Sequence, residues 1–366
     1  MNPLLVVAAA VLSFLLCWGV IHLPLKDAPD GDRKTQKAPV PTAGGLGIAV
    51  AIAMVSAVFL LNAGFTFGEL VARFVGQGDG AVLAVAVCVP ILIGFFDDWR
   101  GMPALVKLVL LFGWCMGAVW AISDGTTPLE TVAGFAVFAA MAFALFVLTN
   151  AANFMDGSNG LAVGCLAIMI LALFGPLSLG QWCWDNCSRH FAAEYAVFLT
   201  VAIPSACLGF LAWNIPGRLY VGDTGALGLG AAFGLLSIRA LDSWAPPQIM
   251  VWFVLTLALP FLVDVGMTLG LRSLQGKNIL RAHTEHAYQG LIASGWRHWQ
   301  VAWLWWGFTL FCAFSAYGGL YLQIQVASSP NAIGPSFWVF VALALTGAVI
   351  WTGHRFVLLK RVSAPG

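Results

Sequence analysis

Residues 131–159 read "TVAGFAVFAAMAFALFVLTNAANFMDGSN". The first 19 of them carry no charge, close to the roughly 20 predominantly apolar residues that a helix needs to cross a bilayer core about 30 Å thick. The stretch then changes character, with Asn150, Asn153 and Asp156 at spacings of three. If the helix runs on, these three are neighbours on one face. Two amides and a carboxylate at the edge of lipid need hydrogen-bond partners, which other helices or a ligand would supply. The stretch therefore specifies a membrane helix whose end is a meeting point for polar groups.

The rest of the chain repeats the first half of that pattern. Of 366 residues, 60% are hydrophobic and 9% charged, a balance that soluble domains do not reach. Eleven segments qualify as spans, at 3–22, 44–62, 81–96, 104–122, 131–149, 161–179, 194–213, 225–240, 249–271, 301–322 and 336–357. The expected fold is an all-α polytopic bundle of about 11 transmembrane helices (10 to 11), with residues 1–366 forming a single transmembrane catalytic domain. The first segment has no Lys or Arg before it and no clear small-residue cleavage site, so it reads as a retained helix. A net charge of +1 gives no overall field that would attract nucleic acid.

Lys and Arg are distributed unevenly between the two sets of connections. The loops on one side, starting with 23–43 and including the C-terminus, hold 14 of the 17, and the other side holds only Arg73, Arg189 and Arg239. The positive-inside rule then places the N-terminus outside and the C-terminus in the cytoplasm. Six cysteines fall within spans and behave as small hydrophobes. Cys183 and Cys187, in an outward loop, either close a structural disulfide or stay free.

The unusual polar residues gather on the predicted cytoplasmic side. "FFDDW" ends the third span with Asp97 and Asp98; "VGDTGAL" puts Asp223 just before the eighth; "RAHTEHAYQGL" brings His283, Glu285 and His286 after the ninth. Taken singly, each has an ordinary reading as a solvated helix end or hydrated loop. Gly230 and Gly234 form a G-x-x-x-G that reads as close helix packing. Asp264 lies inside the ninth span, where an ionisable side chain is either functional or a brace for the bundle. Taken together on one rim, carboxylates and amides with cations nearby suit Mg²⁺ carrying a pyrophosphate, because Mg²⁺ is held by one or two carboxylates together with substrate phosphates.

These motifs, with "PTAGGLGI" at 41–48 and "NAANFMDGSNGLA" at 150–162, resemble the polyprenyl-phosphate N-acetylhexosamine-1-phosphate transferases over about residues 1–320. The loop "HTEHAYQGL" is most similar to a branch associated with O-antigen and other surface glycans. The resemblance implies a membrane enzyme, in the bacterial inner membrane with its site on the cytoplasmic face, that joins a UDP-N-acetyl sugar to undecaprenyl phosphate and releases UMP. The sugar would be an N-acetylhexosamine or its 6-deoxy form. Carried over by position, the family's roles make Asp223 the Mg²⁺ ligand, with Mn²⁺ as a substitute, and Asp97, Asp98 and Asp156 catalytic. Lys37 and Lys107 would meet phosphate, Asn150 and Asn153 the nucleotide-phosphate side, and Arg281, His283 and His286 the diphosphate and sugar. A homodimer is also implied.

Three departures stand out: Asn159 where many relatives have Asp, Ala226 in place of a Ser, and a last loop lacking adjacent histidines. The competing class is a secondary transporter, which would put polar residues near mid-membrane on broken, repeated helices.

Overall fold

The computed structural model describes residues 2–27, 39–64, 79–122, 131–180, 187–244, 247–281, 283–326 and 334–362. Its elements are α1 (Pro3–Ile21), a two-stranded hairpin of β1 (Lys26–Asp27) and β2 (Val40–Pro41), α2 (Gly45–Asn62), α3 (Asp79–Arg100), α4 (Ala104–Ile122), α5 (Val132–Phe154), α6 (Leu161–Ala172), α7 (Phe174–Gly180), α8 (Cys187–Asn214), α9 (Gly222–Asp242), α10 (Gln248–Leu274), α11 (Ala287–Ala293), α12 (His298–Val326) and α13 (Pro335–Val362). Ten helical stretches among the described residues are long and apolar enough to cross a membrane. The remaining predicted span, 81–96, lies in α3, whose 22 residues measure about 33 Å at 1.5 Å per residue. The chain is a polytopic helical bundle, as the composition requires.

The helix α9 sits at the centre. Its glycines allow this, because a Cβ on Gly228 would meet Ile91 of α3, and one on Gly230 would meet Thr149 and Ala152 of α5. A Cβ on Gly234 would run into Leu145. The G-x-x-x-G thus packs α9 against α5 backbone to backbone, which in lipid replaces the hydrophobic driving force that water would supply. Outward-facing Leu4, Trp18, Trp303, Phe314 and Val349 remain exposed around the bundle, a lipid-facing pattern.

The predicted span 161–179 is one of the ten membrane-length stretches, and within it the helix is interrupted at Leu173, between α6 and α7. Pro176 has no N–H to offer the carbonyl of Ala172, and its ring crowds that carbonyl. The Tyr317 hydroxyl donates to Ala172 O instead, at 2.7 Å. The same substitution occurs at Pro90 inside α3, where Trp114 Nε1 donates to Ala86 O at 2.8 Å. Freed carbonyls in a membrane protein need such replacement donors. The small antiparallel pairing of Lys26 with Pro41 and Asp27 with Val40 has no counterpart in the sequence reading, which assigns helices only. The proposed Cys183–Cys187 link falls on Cys183, outside the described residues.

Candidate active site

The predicted clusters meet at one end of the bundle, and backbone contacts bring them there. Gly44 N–H donates to Tyr220 O at 2.9 Å, Gly45 N–H to Val221 O at 3.0 Å, and Tyr220 N–H to Pro41 O at 2.9 Å. The P-T-A-G-G segment is therefore laid along the chain that leads into α9. A Cβ on Gly45 would enter the backbone of Thr224 and Gly225, and one on Gly94 would enter that of Asp223. Gly222 has φ +70°, and a side chain there would meet the Asp98 carboxylate and the Thr42 hydroxyl.

Adjacent residues on a helix point about 100° apart, so Asp97 and Asp98 serve different partners. Asp98 accepts from the N–H groups of Asp223 and Thr224, both at 3.0 Å, and from the Thr224 hydroxyl at 2.5 Å. It acts as an N-cap supplied by a neighbouring helix, using groups that the first turn of α9 cannot satisfy itself. Asp97 takes the Met102 N–H at 2.6 Å on one oxygen and Lys107 Nζ at 2.6 Å on the other. Lys107 also donates to Asp223 Oδ2 at 2.5 Å, and Asn153 Nδ2 lies 3.5 Å from that same oxygen. One ammonium thus bridges carboxylates from α3 and α9 while a third carboxylate fixes the position of the second.

Asp156 lies in the turn after α5, partly buried. Burial first, then the charges of Asp223 and Asp98, pushes its carboxyl well above the usual carboxylate range. Asn150 is buried and spends its amide N–H on Phe146 O of its own helix at 2.8 Å.

The 283–289 loop packs on the end of α5. The rings of His283 and His286 lie 6.4 and 5.8 Å from that of Phe154, and the buried Tyr288 donates to Phe154 O at 3.0 Å. Burial, then the charges of His286 and Arg272, lowers the His283 pKa to about 4, so His283 is neutral at physiological pH. Burial raises the Glu285 carboxyl, but Lys277, Arg272 and Arg355 outweigh it and leave the pKa below its ordinary value. Arg281 is exposed, and Lys37 lies outside the described residues.

Sequence reasoning passed over Thr224, Thr42 and Asn214. Asn214 Oδ1 accepts the Gly160 N–H at 2.5 Å and its Nδ2 donates to Leu219 O at 2.9 Å, tying two loops of the site together. A lone Asn at the apolar end of α8 is the signal that could have flagged it.

The donor set fits a hard divalent cation. Asp97 Oδ2 and Asp223 Oδ2 already share one cation, the Lys107 ammonium, and Asn153 adds an amide. Among the described residues no three His, Cys, Asp or Glu side chains group as a metal site; a cation here would have two carboxylates from the protein and would need further oxygens from substrate phosphate and water. Next to this cluster an apolar groove of about 620 Å³ runs between α2, α3 and α9, from Gly45 and Thr224 at the polar end to Leu61 and Leu236. The polar residues lie at one end of the bundle, whereas transporter sites sit at mid-membrane.

The family model described as "Glycosyl transferase family 4" matches residues 80–241. The Phospho-N-acetylmuramoyl-pentapeptide-transferase of Heliobacterium modesticaldum (strain ATCC 51547 / Ice1) is 30% identical over 312 residues, covering 79% of this chain and 85% of the relative. The protein of the same name from Synechococcus sp. (strain RCC307) is 29% identical over 337 residues, covering 84% and 85%. That from Synechococcus sp. (strain JA-3-3Ab) is 30% identical over 336 residues, covering 83% and 87%.

Proposed function

The chain belongs to glycosyl transferase family 4, the polyprenyl-phosphate hexosamine-1-phosphate transferases, and from that premise we propose that it transfers an N-acetylhexosamine 1-phosphate from a UDP-sugar to undecaprenyl phosphate, releasing UMP. The reaction would start a cell-envelope glycan such as O-antigen. The whole chain acts as one transmembrane catalytic unit in the bacterial inner membrane, with its site on the cytoplasmic face where Lys and Arg concentrate.

The observation that carries this reading is the Lys107 ammonium between Asp97 and Asp223, with Asp98 holding the first turn of α9. Phosphoryl transfer asks a protein mainly for alignment and for neutralisation of charge on phosphate oxygens. In the proposed step an oxygen of the lipid phosphate bonds to the sugar-proximal phosphorus of the UDP-sugar. The bond from that phosphorus to the bridging oxygen breaks, and UMP leaves with that oxygen. The attacking monoester has a second pKa of about 6 and is largely dianionic at neutral pH, so no side chain has to remove a proton. Lys107 meets non-bridging oxygens, Asp98 keeps Asp223 in register, and Asn153 adds an amide beside it. Asp97 and Asp223 are the residues to hold Mg²⁺, or Mn²⁺ in its place, and when bound the ion supplies charge neutralisation at the diphosphate. The apolar groove ending at Thr224 gives hydrocarbon a path to the carboxylates.

The loop His283–His286 faces the turn that carries Asp156 and is the part suited to contact the sugar and diphosphate, with Arg281 and Lys37 as further cations. Its H-x-x-H-A-Y-Q form supports a surface-glycan substrate. The names of the relatives instead point to phospho-N-acetylmuramoyl-pentapeptide as the group transferred. Purified protein offered undecaprenyl phosphate, Mg²⁺ and a panel of UDP-N-acetyl sugars, including UDP-N-acetylmuramoyl-pentapeptide, separates the two. UMP release with a simple or 6-deoxy N-acetylhexosamine is expected, whereas turnover of the pentapeptide donor alone would refute the surface-glycan assignment.

A further inference from the structure

The acids that hold the histidine loop form a second polar centre, separate from the Asp97–Lys107–Asp223 cluster. Asp264, 2% exposed within α10, gathers three donors on Oδ1: the Ala287 N–H at 2.8 Å, Trp351 Nε1 at 3.1 Å and the Thr268 hydroxyl at 3.3 Å. His286 Nδ1 lies 3.7 Å from the same oxygen. Glu285 receives Arg272 Nη1 at 2.8 Å and Lys277 Nζ at 3.0 Å on Oε1. Arg355 approaches from α13, donating from Nη1 to the Glu285 backbone carbonyl at 2.9 Å, with Nη2 at 3.7 Å from Glu285 Oε2.

Trp351 and Arg355 are four residues apart and share one face of α13. Arg355 binds the carbonyl immediately before His286, and Trp351, through Asp264, binds the carboxylate that takes the N–H immediately after it. The peptide backbone is therefore gripped on both sides of His286. The helix supplying this grip lies beyond residues 80–241 that the family model matches. Only 11% of its membrane-depth stretch is buried, and Trp351 is one of the few buried side chains on it. Loss of Trp351 leaves the buried Asp264 carboxylate one donor short, and loss of Arg355 removes a donor from the Glu285 carbonyl; both favour opening of the loop.

We propose that α13 is a clamp on the substrate loop, with Trp351 and Arg355 as positioning residues that act through Asp264 and Glu285 to hold the His283–His286 loop in place for the sugar nucleotide. The link to substrate rests on the function proposed above; the clamp itself does not. Both are tested on the purified full-length protein by comparing wild type with Trp351→Phe, Arg355→Ala, Arg355→Lys and, as a control on the same helix, Thr346→Val. Hydrogen–deuterium exchange without substrate should rise about tenfold over residues 285–289 in Trp351→Phe and Arg355→Ala and stay unchanged in Thr346→Val. In the UMP-release assay KM for the UDP-sugar should rise about fivefold to tenfold with kcat within about twofold, and Arg355→Lys should recover part of that loss. Unchanged exchange in both variants overturns the clamp whatever the activity. Faster exchange with an unchanged KM overturns the link to substrate. Wild-type protein that releases no UMP from any UDP-sugar overturns the proposed function, and the exchange result still decides the clamp. Should Trp351→Phe fail to fold, the Arg355 pair carries the test.

Discussion

The carboxylates at 97–98 and 223 and the acid–histidine loop at 283–289 lie at the same end of the bundle but are tied down by different means. Asp98 is held by two backbone N–H groups and one hydroxyl of α9; Gly45 and Gly94 let their segments approach the backbone of α9, and Gly222 leaves room for the Asp98 carboxylate itself. Backbone donors at a helix start cannot rotate away. Glu285 is held by Arg272, Lys277 and Arg355, long side chains of which Lys277 is 46% exposed. The exposed Lys277 pair contributes only about 0–1 kcal/mol. The first region is fixed by backbone donors at a helix start; the second is held mainly by side chains of α10 and α13 acting through Asp264 and Glu285, which reach it from outside the loop.

Substitutions that cut the fixed region should be the most damaging. Asp223→Asn keeps the shape but removes the charge, and UMP release should fall about a thousandfold or more. Gly222→Ala forces a Cβ onto the Asp98 carboxylate at a φ of +70°, a conformation that alone costs about 1–2 kcal/mol. Its thermal midpoint, followed by size exclusion, should drop sharply along with activity. Asp98→Ala leaves the first turn of α9 uncapped, with a loss of about 1–2 kcal/mol in stability and about a hundredfold in kcat. Conserved kcat in Asp98→Ala would erase the distinction between the two regions.

Asp156 sharpens the contrast through pH. Its folded pKa lies above the ordinary value because of burial and the neighbouring Asp223 and Asp98 charges. A raised carboxyl favours the folded state when protonated, so that contribution is complete below the unfolded pKa of about 3.9 and is lost as pH rises through the folded value. Asp156→Asn should therefore raise the thermal midpoint at pH 8, with the gain shrinking as pH falls, while UMP release drops. The smallest effect is expected at the far end of α9. Asp242→Asn weakens a 3.7 Å pair with Arg239, remote from the carboxylate cluster, and activity should stay within about twofold.

The spans were legible because period and length are local properties: an uncharged stretch such as 131–149 has one stable solution in lipid. The clusters were legible for the same reason, since acids such as Asp97 and Asp223 at the ends of apolar runs are conspicuous one at a time. The division of labour between Asp97 and Asp98 was not, because it depends on where α9 begins relative to α3, a relation between residues 125 positions apart. The same holds for Asp264 and Trp351, 87 apart: the sequence marks Asp264 as functional or a brace for the bundle, but which residue it meets depends on how the helices pack. The break at Leu173 was concealed by continuous hydrophobicity, although Pro176 was there to be weighed.

The central claim is that Asp97, Asp98, Lys107 and Asp223 form one charge-aligning centre that works with a divalent cation. It is tested most directly by UMP release from the wild type and Asp223→Asn, each with Mg²⁺, after EDTA, and after Mg²⁺ is restored. The wild type should lose activity in EDTA and regain it with Mg²⁺, and Asp223→Asn should stay about a thousandfold down throughout. Turnover that persists both through chelation and through the loss of the Asp223 charge would contradict it.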